Sequence, residues 1–229
     1  RVLKNWQYYK RRFGEAITKT LQMKKYDFNA EPQNVEHLCA SHYAYDFVSK
    51  RSKHKTSLCI EPISKTFLEK FDEQKGKLDS VPRSDVILYN PRKSGTFVQK
   101  LAEIALDLNF VPLKGLSQEE LIEKYKTSKL YVDFGPFPGA ERIPKEAVLF
   151  GCCVITGRNG ASNFHGDVPI PDEYKFVDYA HQADLIVAKI RDVLKNYEVK
   201  KPDFDEYRKT VIALEGNFKN SLKGCLQNG

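Results

Sequence analysis

What this sequence lacks narrows its class before any motif is considered. No apolar run approaches the roughly 20 residues that a membrane-spanning helix needs, so a helical membrane protein is not expected. Residues Arg1 to Arg12 are charged and aromatic and carry no apolar leader core. Cysteines number five, at 39, 59, 152, 153 and 225, with no C-x-x-C pair, so zinc-ribbon and dithiol-redox chemistry lose their support. The five histidines, at 37, 42, 54, 165 and 181, form no H-x-x-x-H pair. There is no G-x-S-x-G nucleophile elbow, no G-x-G-x-x-G and no G-x-x-x-x-G-K-[ST], which removes the main signatures of hydrolases, dinucleotide-binding domains and P-loop NTPases. Helix-turn-helix, zinc-finger and RNP patterns are also missing, so nucleic acid is not the expected partner.

What is present is ordinary globular material with a basic excess. The 229 residues are 41% hydrophobic and 29% charged, enough apolar content for a sizeable core. Thirty-seven Lys and Arg against 30 Asp and Glu leave a net charge of +7. The basic clusters, such as Lys10-Arg11-Arg12 and Lys50-Arg51, are scattered and interrupted by acids, as on a solvated face, and one phosphate-bearing ligand would account for part of the excess. Cys59 and Cys152-Cys153 sit in apolar runs as small buried hydrophobes, which points to a reducing, cytoplasmic compartment. The chain opens on Arg, as a piece of something longer would.

Periodicity divides the chain near residue 84. Val2, Trp6, Tyr9, Phe13 and Ile17 form one helical stripe, and a loop is expected from Tyr26 to Gln33. A short strand is expected within residues 34 to 41, a helix from Tyr43 to Lys50 capped by Ser41, and a strand at Thr56 to Ile60. A polar stretch covers residues 72 to 84. Beyond it, strands at 86–89, 110–113, 130–134, 152–156 and 174–177 alternate with helices at 95–108, 117–126 and 141–150, and helices at 178–197 and 204–226 close the chain. Phe97, Leu101, Ile104 and Leu108 are the expected inner face of the first of these helices. Such alternation predicts an α/β fold, a Rossmann-like parallel sheet flanked by helices over 84–229, preceded by a reduced N-terminal region over 1–83.

In sheets of this kind ligands bind beyond the carboxyl ends of the strands, where strand order reverses. Four loops reach that edge: Asn90 to Thr96, Pro112 to Ser117, Gly135 to Lys145 and Gly157 to Ser162. The richest runs from Gly135 through Gly139 to a helix start marked by Pro144, with Arg142 and Lys145 beside it. Open N–H groups, a helix dipole and two cations suit a phosphate or diphosphate. A tight turn shaped by Pro and Gly, with Arg142 in a salt bridge, accounts for the same residues. Glu146 either accepts from ribose hydroxyls beside such a site or is an exposed first-turn acid. Asn90-Pro91-Arg92-Lys93 and the Gly-rich turn with Gly160 and Ser162 converge on the same edge. Asp203-Phe204-Asp205 has the form of a D-x-D metal motif, but it follows Pro202 and opens a helix, where a capping role is expected.

The run Glu146-Ala147-Val148-Leu149-Phe150-Gly151-Cys152-Cys153-Val154-Ile155-Thr156 resembles the E-A-x-x-x-G-x-P-V-[IV]-[AT] signature of GT-B glycosyltransferases. Tyr131-Val132-Asp133-Phe134-Gly135, Pro138-Gly139, Arg142-Ile143-Pro144-Lys145 and Tyr89-Asn90-Pro91-Arg92-Lys93 are similar to a bacterial and viral subgroup with Y-N-P-K-K and D-F-G-x-H-P-G-K-D-R-x-P-R-E-A motifs. Upstream, Ala40-Ser41-His42-Tyr43-Ala44 and Cys59-Ile60-Glu61-Pro62-Ile63 resemble the end of a first Rossmann domain and its linker. The resemblance implies transfer of a hexose or deoxyhexose from a nucleotide-diphosphate donor, such as a UDP-sugar, to a glycan acceptor in polysaccharide biosynthesis. It implies no metal and no other cofactor. By it, Lys93, Gly139, Arg142 and Lys145 would hold the diphosphate and Glu146 the ribose. Asn90, Pro91, Gly135, Gly160 and Ser162 would complete the site loops, and His42 would be the nearest candidate base. Pro138 stands where many relatives carry an acid, Phe137 where the subgroup has His, and Ala140 where it has Lys. A complete enzyme of this family is considerably longer than 229 residues, which leaves further domains of the same polypeptide or a second subunit to supply the rest. The alternative is a non-catalytic nucleotide- or glycan-binding module of a larger polypeptide.

Overall fold

The computed structural model describes residues 27–28, 30, 32, 35–177 and 179–227. The expected helix through Val2 and Ile17, and half of the loop expected at 26–33, lie outside the described residues. The first elements are β1 (Glu36–Cys39), α1 (His42–Ser49) and β2 (Lys55–Leu58), with the two strands paired in parallel from Glu36 opposite Lys55 to Cys39 opposite Leu58. Ser41 caps α1, its Oγ accepting the Ala44 N–H at 3.0 Å.

A helix that shows no continuous apolar run comes next: α2 (Lys65–Gln74), continued by a 3-10 segment over Lys75–Ser80. Its signal is the i, i+4 pair Phe67 and Phe71, both buried. Their rings meet Phe150 edge-on, with centroids 6.2 and 6.1 Å away. Through these rings and Leu78, residues that precede position 84 share the core of the sheet that follows it.

That sheet has five parallel strands in the order β4-β3-β5-β6-β7, where β3 is Ser84–Tyr89, β4 Asn109–Pro112, β5 Ser128–Asp133, β6 Cys153–Gly157 and β7 Lys175–Phe176. The crossovers carry α3 (Pro91–Ile104), α4 (Gln118–Thr127) and α5 (Arg142–Leu149). The chain ends in α6 (Ala183–Lys195), α7 (Tyr197–Lys200) and α8 (Asp205–Gln227). Ile87, Leu88, Leu130, Tyr131, Val132, Val154 and Ile155 are all buried on both sides of the sheet, which is why the central strands read as continuous apolar runs. The fold is therefore the expected Rossmann-like α/β arrangement. Because β3 is followed on one side by β4 and on the other by β5, strand order reverses between β3 and β5.

One helix starts a turn earlier than its apolar periodicity suggests. Asn90 caps α3, its Oδ1 accepting the Arg92 N–H at 3.0 Å, and Pro91 occupies the first helical position, where its missing N–H costs nothing. The inward face is Ser94, Val98 and Leu101, while Ile104 is exposed. The capping box expected at Ser117 is present, with the Glu120 N–H reaching Ser117 Oγ at 3.2 Å and the Ser117 N–H reaching the Glu120 carboxylate at 2.7 Å.

Two polar ties hold the N-terminal elements against the large sheet. The Asp167 carboxylate accepts the backbone N–H groups of His42 and Tyr43 at 2.7 and 2.9 Å. Lys145 Nζ donates to the Glu61 carbonyl at 3.2 Å. Phe150→Ala, which removes the ring between α2 and the sheet core, is expected to lower unfolding free energy by about 3–5 kcal/mol. The check is the shift in chemical denaturation midpoint at unchanged slope, and a loss below about 1 kcal/mol would show that α2 does not depend on this contact.

Candidate functional site

The site is built on Asp133, the last residue of β5. Its buried carboxylate accepts from Ser94 Oγ of α3 at 2.9 Å, from Tyr131 Oη at 2.8 Å and from the Gly135 N–H at 3.0 Å. Ser94 Oγ in turn accepts the Phe134 N–H at 2.9 Å. One carboxylate thus joins the start of α3 to the loop that leaves β5. Gly135 is essential to that contact, because a Cβ there would lie 2.5 Å from Lys93 Cβ and 3.0 Å from the Lys93 carbonyl oxygen.

Next to this junction, at the point where strand order reverses, is a cleft of about 680 Å³. Asn90, Pro91 and Arg92 form one wall, Leu113 to Leu116 a second, and Tyr125, Arg142 and Glu146 line the rest. Glu146 is 1% exposed, and Tyr125 Oη donates to its Oε2 at 3.3 Å. Arg142 lies over it as an i, i+4 ion pair, with Nε 3.0 Å from Oε1, and its own side chain is 68% exposed. The pair is electrostatic, and Oε1 remains a buried acceptor that receives no hydrogen bond among the described residues. Desolvation raises the Glu146 carboxyl to about 7, against the opposing effects of Arg142 and Tyr125. No side chain caps α5 at Glu141, and the first two helical residues, Arg142 and Ile143, line the cleft.

The other singled-out residues occupy distinct places. Lys93 lies at the start of α3 but on the far side of the Gly135 junction. It forms an ion pair with Glu141 at 2.5 Å, donates to the Pro136 carbonyl at 3.3 Å and sits 5.6 Å from the centre of the Phe137 ring. Lys145 is buried behind α5 against the Glu61 carbonyl, and desolvation lowers its ammonium to about 8. Gly139 is half-buried, and a Cβ there would meet no other atom within 4 Å. Gly160, with φ of 60°, brings its backbone so close to Phe137 that a Cβ would stand 2.2 Å from the Phe137 carbonyl oxygen. Ser162 is buried and closes the turn, accepting the Asn159 N–H at 2.8 Å and donating to the Gly157 carbonyl at 2.5 Å.

His42, at the start of α1, lays its ring against Gly166. Its neighbour Tyr43 lines a second hollow of about 550 Å³ with Pro136, Phe137, Pro138, Arg158, Asn159 and Gly160. This hollow lies where the N-terminal elements face the loops after β5 and β6. Asp203 accepts a hydrogen bond from Tyr174 Oη in the 3-10 turn before α8. Among the described residues no cluster of three or more Asp, Glu, His or Cys is arranged to hold a metal. The five cysteines are free thiols, and no helix among the described residues is long and apolar enough to cross a membrane.

Tyr125 is a cleft residue that sequence reasoning passes over. Tyr125 reads simply as the apolar face of α4, one turn beyond Leu121, and only the packing of α4 beside α5 turns its hydroxyl to Glu146. Lys114 lies in the Pro112 to Ser117 loop expected at this edge, and it lines the cleft there.

No protein-family model matches this sequence, and no curated protein matches it. Among solved structures, the chain is similar to AviGT4, a glycosyltransferase involved in avilamycin A biosynthesis, with a TM-score of 0.49 and 13% identity over 82% of this chain and 63% of that one. It is also similar to the catalytic domain of starch synthase IV from Arabidopsis thaliana bound to ADP and acarbose, with a TM-score of 0.40 and 12% identity over 79% of this chain and 51% of the other. The chain spans less than two thirds of the length of either.

Two outcomes follow from the buried carboxylates. Asp133→Ala strips the acceptor from Ser94, Tyr131 and Gly135, and is expected to cost about 3 kcal/mol or more in thermal unfolding; a loss within about 0.5 kcal/mol would contradict the junction. Glu146 holds its proton in the folded state up to about pH 7 but only to about 4.5 when unfolded. The folded state therefore binds more protons between these values, and this group's contribution to stability falls as pH rises through that window, by an amount on the order of 3 kcal/mol. Glu146→Gln should remove that fall, so the stability difference between variant and wild type should widen in the variant's favour from pH 4.5 to 7. A constant difference would contradict the burial cost.

Proposed function

We propose that this chain is the donor-binding part of a GT-B-like glycosyltransferase with a reduced or incomplete N-terminal domain, moving a sugar from a nucleotide-diphosphate donor to a glycan acceptor. One observation carries the reading: a buried carboxylate with an unused acceptor oxygen, Glu146, faces a cleft at the switch point of a parallel sheet and is covered by a mobile-length cation, Arg142, at an uncapped helix start. The motif resemblance around Glu146 and Arg142 points to the same donor class.

In this reading the ribose hydroxyls donate to Glu146, displacing Arg142 toward the diphosphate. An ionised Glu146 is the better acceptor, so donor binding strengthens as pH rises through about 7. Leu113, Leu116 and Ile143 offer an apolar wall to the base. Negative charge that develops on the leaving diphosphate is met by Arg142, the α5 N-terminus, Arg92 and Lys114, so that in this reading no metal is needed. Lys93 and the Gly139 backbone take the sugar-side phosphate once Lys93 leaves Glu141, and Lys145 contributes positive charge from behind the helix. Asn90, Pro91 and Gly135 hold the walls, while Gly160 and Ser162 shape the loop toward the second hollow.

The acceptor glycan enters by that hollow, where Tyr43, Pro136 and Pro138 offer flat faces and Arg158 offers a guanidinium. His42, adjoining Tyr43, is the proposed base. Free thiols throughout fit a reducing, cytoplasmic setting. Further domains of the same polypeptide, or a second subunit, complete the acceptor side.

The test is calorimetric titration with UDP-, GDP-, ADP- and dTDP-sugars. One donor class is expected to bind, Arg142→Ala to weaken it at least about tenfold, equivalent to about 1.4 kcal/mol, and Glu146→Gln to weaken it comparably. A 2′,3′-dideoxy analogue, lacking the hydroxyls, should bind wild type and Glu146→Gln alike. Unchanged affinity in Arg142→Ala would sink the assignment. Donor hydrolysis or transfer in the same mixtures supports the enzyme, and binding without turnover would favour a nucleotide- or glycan-binding module instead.

A further inference from the structure

At the opposite, amino-terminal edge of the large sheet lies a hollow of about 160 Å³ whose lining is strongly cationic: Lys75, Arg83, Lys201 and Arg208, with Asp79 the one acid among them. Its position is set by Arg83, which precedes β3, and by Gly151, which precedes β6, so it is separated from the candidate cleft by the length of the strands. Arg83 is fixed there: its Nη1 donates to the carbonyls of Tyr125 and Ser128 at 3.0 and 2.8 Å, and its Nη2 to that of Phe150 at 2.5 Å. These partners are neutral, and the guanidinium keeps its full charge. Gly151 makes room for it, since a Cβ there would lie 2.3 Å from Arg83 Nη2.

Arg208, on the first turn of α8, adds a second guanidinium. Its Nε donates to the Val148 carbonyl at 3.1 Å, and its Nη1 pairs with Asp205. Its Nη2 is buried and donates to nothing among the described residues. Lys201 pairs with Asp79, and Lys75 with Asp72 at 2.9 Å, both of whose acids are exposed at the rim. Counting all three acids, four cations still leave one uncompensated positive charge. The cationic surroundings register on Asp79, whose carboxyl is held below its ordinary value first by the Lys201 hydrogen bond and charge, then by Arg208 and Arg83.

We infer that this hollow is a binding site for a phosphate-sized dianion, free phosphate or the head of a phosphate monoester, held by Arg208, Arg83 and Lys201. Two planar guanidiniums and an ammonium around a small cavity match a tetrahedral oxyanion. Bound there, the anion ties together the 3-10 segment at 75–80, the start of β3 and the start of α8, and so stabilises the folded chain by mass action.

The experiment is thermal unfolding in rising inorganic phosphate, against sodium chloride at matched ionic strength, with glycerol phosphate as a second arm for the ester. Wild type is expected to gain at least about 2 °C at phosphate concentrations well above the dissociation constant. Arg208→Gln and Lys201→Gln should each lose most of that gain, whatever their starting midpoint, and Arg142→Ala should keep it. A phosphate gain no larger than that from chloride overturns the proposal. So does a gain that survives in both Arg208→Gln and Lys201→Gln, or one that disappears in Arg142→Ala, which would place the anion in the candidate cleft.

Discussion

The candidate site depends on one buried carboxylate. Asp133 ends β5 inside the protein and spends its oxygens on three donors drawn from α3, β5 and the following loop. Without that acceptor, Ser94, Tyr131 and Gly135 would be buried donors with no partner, an arrangement proteins rarely tolerate. The consequence is geometric. The loops after β3 and β5 approach within backbone contact, closely enough that only glycine fits at 135. The cleft walls contributed by Asn90 to Arg92 and by Arg142 to Glu146 are therefore held in register with each other, although they are separated by some fifty positions in the chain.

α5 carries the second constraint. Six of its eight residues are buried, including both Lys145 and Glu146, adjacent in sequence and turned in different directions. Burial pulls their ionisation toward neutrality from opposite sides, the lysine down to about 8 and the glutamate up to about 7. A short helix that buries two ionisable groups gives up stability for them, and perturbed groups of this kind cluster where binding or chemistry takes place. The helix end opposite the cleft is gripped by Arg208 through the Val148 carbonyl, where a cation complements the negative end of the dipole.

Much of this was legible in the chain. The strands from 86 to 156, the Ser41 and Ser117 caps, the buried cysteines and the sheet edge shared by the glycine-rich loops all follow from apolar runs, capping residues and the parallel-sheet rule. α2 escaped because its exposed face is dense in Lys, Glu and Asp, so that only the Phe67 and Phe71 pair betrays it. Apolar periodicity puts the start of α3 late because Asn90-Pro91 reads equally as a turn, and the bond from the Arg92 N–H to the Asn90 side chain decides for a cap. Within the site, the residue types around 142 to 146 were visible. Lys93 and Lys145 turn away from the cleft toward Glu141 and Glu61, and no pattern in the sequence carries that direction.

Local patterns in the chain set the class of fold and the sheet edge that its glycine-rich loops share, because period, caps and glycine placement survive without knowledge of neighbours. Only the tertiary structure decided which charges meet. That Tyr125 reaches Glu146, that Asp167 holds the start of α1, and that Arg83 and Arg208 share a hollow far from the cleft are pairings across wide sequence separations. They are set by which helix lies beside which strand, and that choice is made by the packing of the whole core.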